Sequence, residues 1–263
     1  MKCKLCDNEY EKLAKSHILP IGFFASIPTK GRLDSISFKG NKGRKLQKAI
    51  YDKTIICPVC EQQLAVLDDY AIKIFRDKLD SFEVKHPDLP ADKFIVFEKT
   101  NKKKLKAFLA SILWRISISK QKEISSLSIG KIYENRIKND LNNNGEFTYI
   151  DVNTYFYTSI YHSAIFSPFQ IKIQPIDTTR DNQAINGWEV QLPYITLRIS
   201  LDKRPHPENT YFDFHPVITN KINCVQASSS LNAEENYKFM CFQTSKRDGD
   251  VRKMFEIVKN KKA

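Results

Sequence analysis

Cys3-Lys4-Leu5-Cys6 and Cys57-Pro58-Val59-Cys60 share one spacing, two cysteines with two residues between them, and fifty residues separate the pairs. A turn of this kind lets two thiolates reach one ion, and two such turns complete a tetrahedral four-sulfur site. Zinc is the expected occupant, because thiolates are soft ligands and a structural site needs no open position. The chain has six cysteines. The other two, Cys224 and Cys241, lie in strand-like sequence without a partner spacing and read as small buried apolar residues.

Three further stretches lie between the pairs. They are Ser16-His17-Ile18-Leu19-Pro20, then Gly40-Asn41-Lys42-Gly43, then Asp52-Lys53-Thr54-Ile55-Ile56 leading into Cys57. Over residues 1 to about 70 this order resembles the HNH nuclease family (ββα-metal, or His-Me finger) in its four-cysteine, zinc-stapled form. That pattern runs C-x2-C, then Asp-His or His-His with Ile-x-Pro, a glycine pair, an Asn five residues before the second C-x2-C, and a His or Asn just after it. The resemblance implies a ββα-metal, treble-clef-like zinc module over residues 1–80. It implies His17 as general base, Asp52 as the residue orienting that base, and Glu61 as a ligand of a catalytic Mg²⁺ or Mn²⁺. Ser16 stands where the other metal ligand is usually Asp or His. Asp52 and Glu61 also depart from the common pattern. A carboxylate is a good oxygen ligand for these ions, whereas a neutral hydroxyl is a poor one. Asp68 or Asp69, about two helical turns beyond Glu61, could add the missing carboxylate. The Ser-His-Ile-x-Pro variant is similar to that of bacterial HNH-like proteins linked to phage defence.

The chemistry asks for such parts. Phosphodiester hydrolysis needs a water deprotonated near neutral pH, for which histidine is suited, and a cation to neutralise the phosphate and leaving oxygen. His86, His162, His206 and His215 show no register with the cysteine pairs and read as structural.

Between Lys30 and Lys53 the chain carries Lys30, Arg32, Lys39, Lys42, Arg44, Lys45, Lys48 and Lys53 against Asp34 and Asp52, a local surplus of six. Lys39, Lys42, Arg44, Lys45 and Lys48 are the candidate contacts to a phosphate backbone, giving affinity with little sequence preference. The whole chain of 263 residues has a net charge of +12, which favours polyanionic partners. Nucleic acid is the expected partner, DNA ahead of RNA, and an activating protein or ligand is a further expectation. No stretch approaches the roughly 18 apolar residues of a membrane span. The Met-Lys-Cys-Lys-Leu-Cys start lacks the apolar core of a signal peptide. Together these place the chain in the cytoplasm, where paired cysteines point to metal rather than to disulfides.

Beyond the cysteine pairs the pattern changes. Residues 94 to 143 read as helical. Leu105, Phe108, Leu109, Ile112, Leu113 and Ile116 form one amphipathic stripe, with Trp114-Arg115 packing beside it. A second helix is expected over Ile129–Leu141, ending at Asn142-Asn143-Asn144-Gly145. The run Lys102-Lys103-Lys104-Leu105-Lys106 reads first as the solvated opening turn of the first of these helices, and its opposition to the helix dipole leaves an anionic partner as the second reading. From Glu146 onward the chain reads as strands: Phe147–Val152, Tyr155–Ile160, Phe169–Ile176, Trp188–Ile199, Tyr211–Val217 and Tyr237–Gln243, before a short basic helix over Val251–Lys259. The expected class is α+β, with a boundary near Pro87 and Pro90 and a second unit over residues 90–263. That unit has no P-loop, nucleophile elbow or dinucleotide fingerprint. Recognising a target, sensing a ligand and binding a partner are all open to it.

The leading expectation is therefore a metal-dependent endonuclease. The alternatives are a catalytically inactive zinc-stapled nucleic-acid-binding protein and a protein-interaction module with a structural zinc.

Overall fold

The computed structural model describes residues 1–25, 33–36, 45–46, 49–77, 83–84, 94–96, 100–121, 124, 127–156, 164–166, 168–173, 185–192, 195–201 and 223–226. The first elements are β1 (Ser16–His17), a 3-10 turn (Ile21–Phe24), β2 (Leu33–Ile36), β3 (Lys45–Leu46), β4 (Tyr51–Asp52) and α1 (Pro58–Ile72), which runs on into a π-helical turn (Lys73–Asp77). There follow β5 (Glu83–Val84), β6 (Phe94–Val96), α2 (Lys102–Ile118) and α3 (Lys131–Asn142). The remaining strands are β7 (Asp151–Phe156), β8 (Ala164–Phe166), β9 (Phe169–Ile173), β10 (Ile185–Leu192), β11 (Ile195–Ser200) and β12 (Asn223–Gln226). The class is α+β, as the sequence leads one to expect.

Helix α2 is the centre of the molecule. From Leu105 to Ile116 every residue but Lys106 is buried, so the helix is apolar nearly all round rather than along one stripe, the pattern of a fully enclosed helix. Asn101 caps it, its side-chain oxygen accepting from the Lys104 amide at 3.0 Å. The lysines of its first turn find their neighbours within the chain: Lys103 pairs with Glu146 at 2.5 Å and Lys104 lies 5.5 Å from the Tyr70 ring centre. Phe23 and Phe75 set their rings 6.1 and 6.3 Å from Phe108. One hydrophobic cluster takes in Cys3, Leu5, Cys57 and Cys60 together with the α2 face, Ile137 and Leu141 of α3, and Val190 and Leu197 of the sheet.

The described strands form three sheets. β1 and β4 form an antiparallel pair; β3-β2-β8 make a small mixed sheet; and β5-β6-β12-β7-β11-β10-β9 make a seven-stranded one. Three sequence expectations need correction. Phe94–Val96 is a strand, not helix, and its three-residue length is too short to carry helical periodicity. The run Trp188–Ile199 divides into β10 and β11, an antiparallel pair in which Leu192 meets Ile195. Phe147 does not begin a strand: its φ of 51° lies in the left-handed region, outside the range of extended backbone, and β7 starts at Asp151. The strands expected at Tyr211–Val217 and Tyr237–Gln243, the helix at Val251–Lys259, and Pro87 and Pro90 fall outside the described residues. No helix among the described residues is long and apolar enough to cross a membrane.

Candidate functional site at the first turn of helix α1

The first cysteine pair sits in a tight turn. Asp7 N donates to Cys3 O at 3.0 Å and Cys3 N to Asn8 O at 2.9 Å, with Asp7 at a φ of 65° closing the loop. The second pair opens α1: Cys57 is the N-cap, Pro58 takes the first helical position, and Cys60 lies in the first turn. Proline suits that position because its missing N–H would have no helical partner there. Lys4 N donates to Ile55 O at 2.7 Å, tying the first turn to the segment before Cys57, and Ala14 N to Ile56 O at 2.8 Å, tying the approach to β1 to the same segment.

The four sulfurs lie within 4.8 Å of one another, and Cys6 and Cys57 approach to 3.9 Å. Four sulfurs placed tetrahedrally at a Zn–S distance of about 2.3 Å would stand about 3.8 Å apart, so the group fits a zinc ion. Cys57 N donates to Cys3 Sγ at 3.3 Å and Cys60 N to Cys57 Sγ at 3.5 Å. Burial pushes the Cys3, Cys57 and Cys60 thiols toward their neutral form. At Cys57 this is outweighed by hydrogen bonds from Tyr10 and its fellow cysteines, which bring it down to about 6. At Cys60 burial and neighbouring sulfurs both raise it. Sulfurs crowded this closely are what a divalent cation would hold together as thiolates.

Beside this corner lies His17. In the β1–β4 ladder Ser16 faces Asp52 and His17 faces Tyr51. Alternation then places Ser16 and Asp52 on one face and His17 and Tyr51 on the other. Burial agrees, since Ser16 and Asp52 are enclosed while Tyr51 is 37% exposed. The far edge of β1 is clamped by side chains. His17 N donates to Glu61 Oε1 across a long 3.4 Å, and His17 O accepts from Arg115 Nη1 at 2.8 Å. Arg115 is itself held by a two-pronged pair with Asp68, at 2.8 and 2.6 Å. Glu61 and Asp68 are seven residues apart on α1, so they project from the same side two turns apart. Desolvation holds His17 below its ordinary value of 6.5, with Glu61 and Asp68 pulling upward and Lys15 and Arg115 downward. The imidazole is therefore neutral at neutral pH, the form a base requires.

The structure brings His17 and Glu61 together and separates Asp52 from both. The Asp52 carboxylate accepts from Thr54 N and Oγ1 at 2.8 and 2.7 Å, and from Ser119 Oγ at 2.8 Å. Burial would raise its pKa, but these bonds lower it on balance. No bond from Asp52 to the His17 ring appears among the described residues. Ser16 Oγ and Glu61 Oε2 are both buried without a hydrogen-bond partner, and the Glu61 carboxylate reaches the His17 backbone through its other oxygen. Asp68 is engaged by Arg115, and Asp69 is exposed. Among the described residues, the four cysteines are the group in which three or more ligand side chains converge; His17 and Glu61 are two. Lys39, Lys42, Arg44 and Lys48 lie outside the described residues, and of Lys45 only the strand backbone is described. The sequence reading set Arg115 beside the α2 stripe and missed its role, although a charge inside a run of apolar residues is the signal that marks it.

No protein-family model matches the chain, and neither the curated proteins nor the solved structures compared with it yield a match.

Proposed function

We propose that the protein is a metal-dependent endonuclease of the HNH type, hydrolysing phosphodiester bonds in nucleic acid, DNA ahead of RNA. In this reading His17 is the general base, Glu61 binds a catalytic Mg²⁺ or Mn²⁺, and a structural zinc held by Cys3, Cys6, Cys57 and Cys60 fixes the turn that presents Glu61. The observation that carries the reading is Glu61 itself. Its Oε1 lies against the His17 backbone while its Oε2 is buried with no partner. A carboxylate oxygen removed from water without a donor is destabilising, and such a cost is expected where an ion is to be bound. Mg²⁺ commonly takes one or two protein carboxylates, with waters and substrate phosphates completing its shell. When bound it would neutralise charge on the phosphate and leaving oxygen. His17, kept neutral by burial, is suited to accept the proton of the attacking water. A phage-defence effector is the setting that the sequence resemblance suggests.

A second reading is supported by a specific observation. Asp52 is committed to Thr54 and Ser119, and Asp68 to Arg115, so neither serves the His17 corner as orienter or ligand. A zinc-stapled nucleic-acid-binding protein without catalysis would look the same there. Incubation with plasmid DNA and with total RNA in Mg²⁺ or Mn²⁺ separates the two. Cleavage by the wild type that is lost in His17→Ala supports the nuclease. Equal binding by both proteins with no cleavage supports the binding protein.

A further inference from the structure

The outer face of the β1–β4 ribbon carries more than His17. Lys15 precedes β1 and Lys53 follows β4, and both approach the ring of Tyr51, the residue opposite His17. Lys15 Nζ lies 4.0 Å from the centre of the Tyr51 ring and Lys53 Nζ lies 5.9 Å from it. Both lysines are exposed, and neither has a carboxylate partner among the described residues. Two ammonium groups gathered on one ring stand no farther apart than the roughly 10 Å over which charges interact at ordinary salt. They repel each other at ordinary salt. The opposite face, with Ser16 and Asp52, is enclosed.

We propose that this face docks the phosphodiester backbone of a nucleic-acid strand, with Lys15 and Lys53 contacting phosphates beside His17 and Tyr51 holding the two lysines in place. The proposal deepens the nuclease reading and rests on it for the role of His17 alone. Cation–π attraction to Tyr51 orients two otherwise flexible side chains before the ligand arrives, which reduces the ordering lost on binding. A polyanion with regularly spaced charges is the complement of such a pair. An anionic membrane surface is the poorer match, because binding there gains from buried apolar area and this face offers a single tyrosine.

The test measures binding of fluorescent DNA and RNA oligonucleotides to the full chain across a range of salt, without added Mg²⁺ or Mn²⁺. Lys15→Gln/Lys53→Gln is expected to lower the slope of log affinity against log salt by about 1.4 to 1.8, the loss of two phosphate contacts. Lys73→Gln/Lys120→Gln removes the same charge from exposed positions elsewhere and is expected to leave the slope unchanged. Tyr51→Leu keeps both charges and is expected to weaken binding severalfold at an unaltered slope. An unchanged slope in the Lys15/Lys53 variant overturns the proposal, as does an equal drop in the control. So does a wild type that binds anionic vesicles but no oligonucleotide. A wild type that binds with the expected slope but never cleaves upholds this surface and defeats the nuclease reading. Cleavage by a wild type whose binding ignores Lys15 and Lys53 does the reverse.

Discussion

Cys60 and Glu61 are neighbours in one turn of α1, yet they belong to opposite kinds of corner. On the Cys60 side four like ligands close on one point, and backbone amides are directed at their sulfurs. On the Glu61 side the carboxylate has one long bond and one oxygen without a partner. A closed, saturated ligand set is what a structural ion needs, whereas a working site keeps a position open. The same helical turn thus combines a corner built for stability with one that gives stability up.

The largest effect should come from opening the closed corner. Cys60→Ala is expected to abolish zinc binding, whose apparent free energy is on the order of 10 kcal/mol, and the variant should fail to give a cooperative melt. Metal analysis and thermal unfolding check this, and a Cys60→Ala protein that keeps its metal and its melting point would break the contrast. Next comes the strut between the corners. Asp68→Ala leaves Arg115, fully buried, without its anion, and should cost about 3–5 kcal/mol in urea unfolding. Replacing both residues by apolar ones should recover most of that loss. A cost near zero for Asp68→Ala would mean that the pair does not hold β1.

At the open corner the expected loss is of function. His17→Ala should reduce cleavage by about 10²- to 10⁴-fold with the melting point unchanged. Burial lowers the His17 pKa below its ordinary 6.5, so the unfolded chain binds its proton at a higher pH than the folded one. Stability tied to His17 is therefore complete above 6.5 and lost as pH falls toward the folded value. The acid limb of the single-turnover rate should likewise lie below 6.5. A limb above 6.5 would assign the base to another group. The smallest effect sharpens the contrast most. Glu61→Gln supplies an amide where one carboxylate oxygen lacks a partner, so it should leave stability unchanged or raise it by about 1 kcal/mol while activity disappears. Parallel loss of both would make Glu61 a structural residue like its neighbour.

The two corners were unequally legible in the sequence. Paired cysteines announce themselves, because a tetrahedral site requires a turn of fixed spacing at each end. The α2 stripe was equally plain, since its periodicity follows from helix geometry. Asp52 was found at its place in the chain but not in its role: spacing gives a position, and only pairing with Ser16 reveals that it turns away from His17. Arg115 read as a flank of the apolar stripe, because nothing in the local sequence tells that the helix is enclosed on all sides. Its partner Asp68 is 47 residues away. The division at Leu192 and Ile195 was signalled by Pro193, which cannot donate to a strand ladder, but the apolar run around it hid the break.

The Arg115 contact has a consequence for transplanting the cysteine module. Residues 1 to 80 look like a cassette that could pass between genes. Alone, however, they would carry Asp68 with its cation missing, a His17 carbonyl stripped of its donor, and an apolar wall where α2 had lain. A gene for that fragment would encode both cysteine pairs and still leave the surface around them unfinished. Its recombination with a foreign partner would succeed only where that partner supplied an arginine on an enclosed helix at the same height. The folding unit in this protein is accordingly longer than its motif.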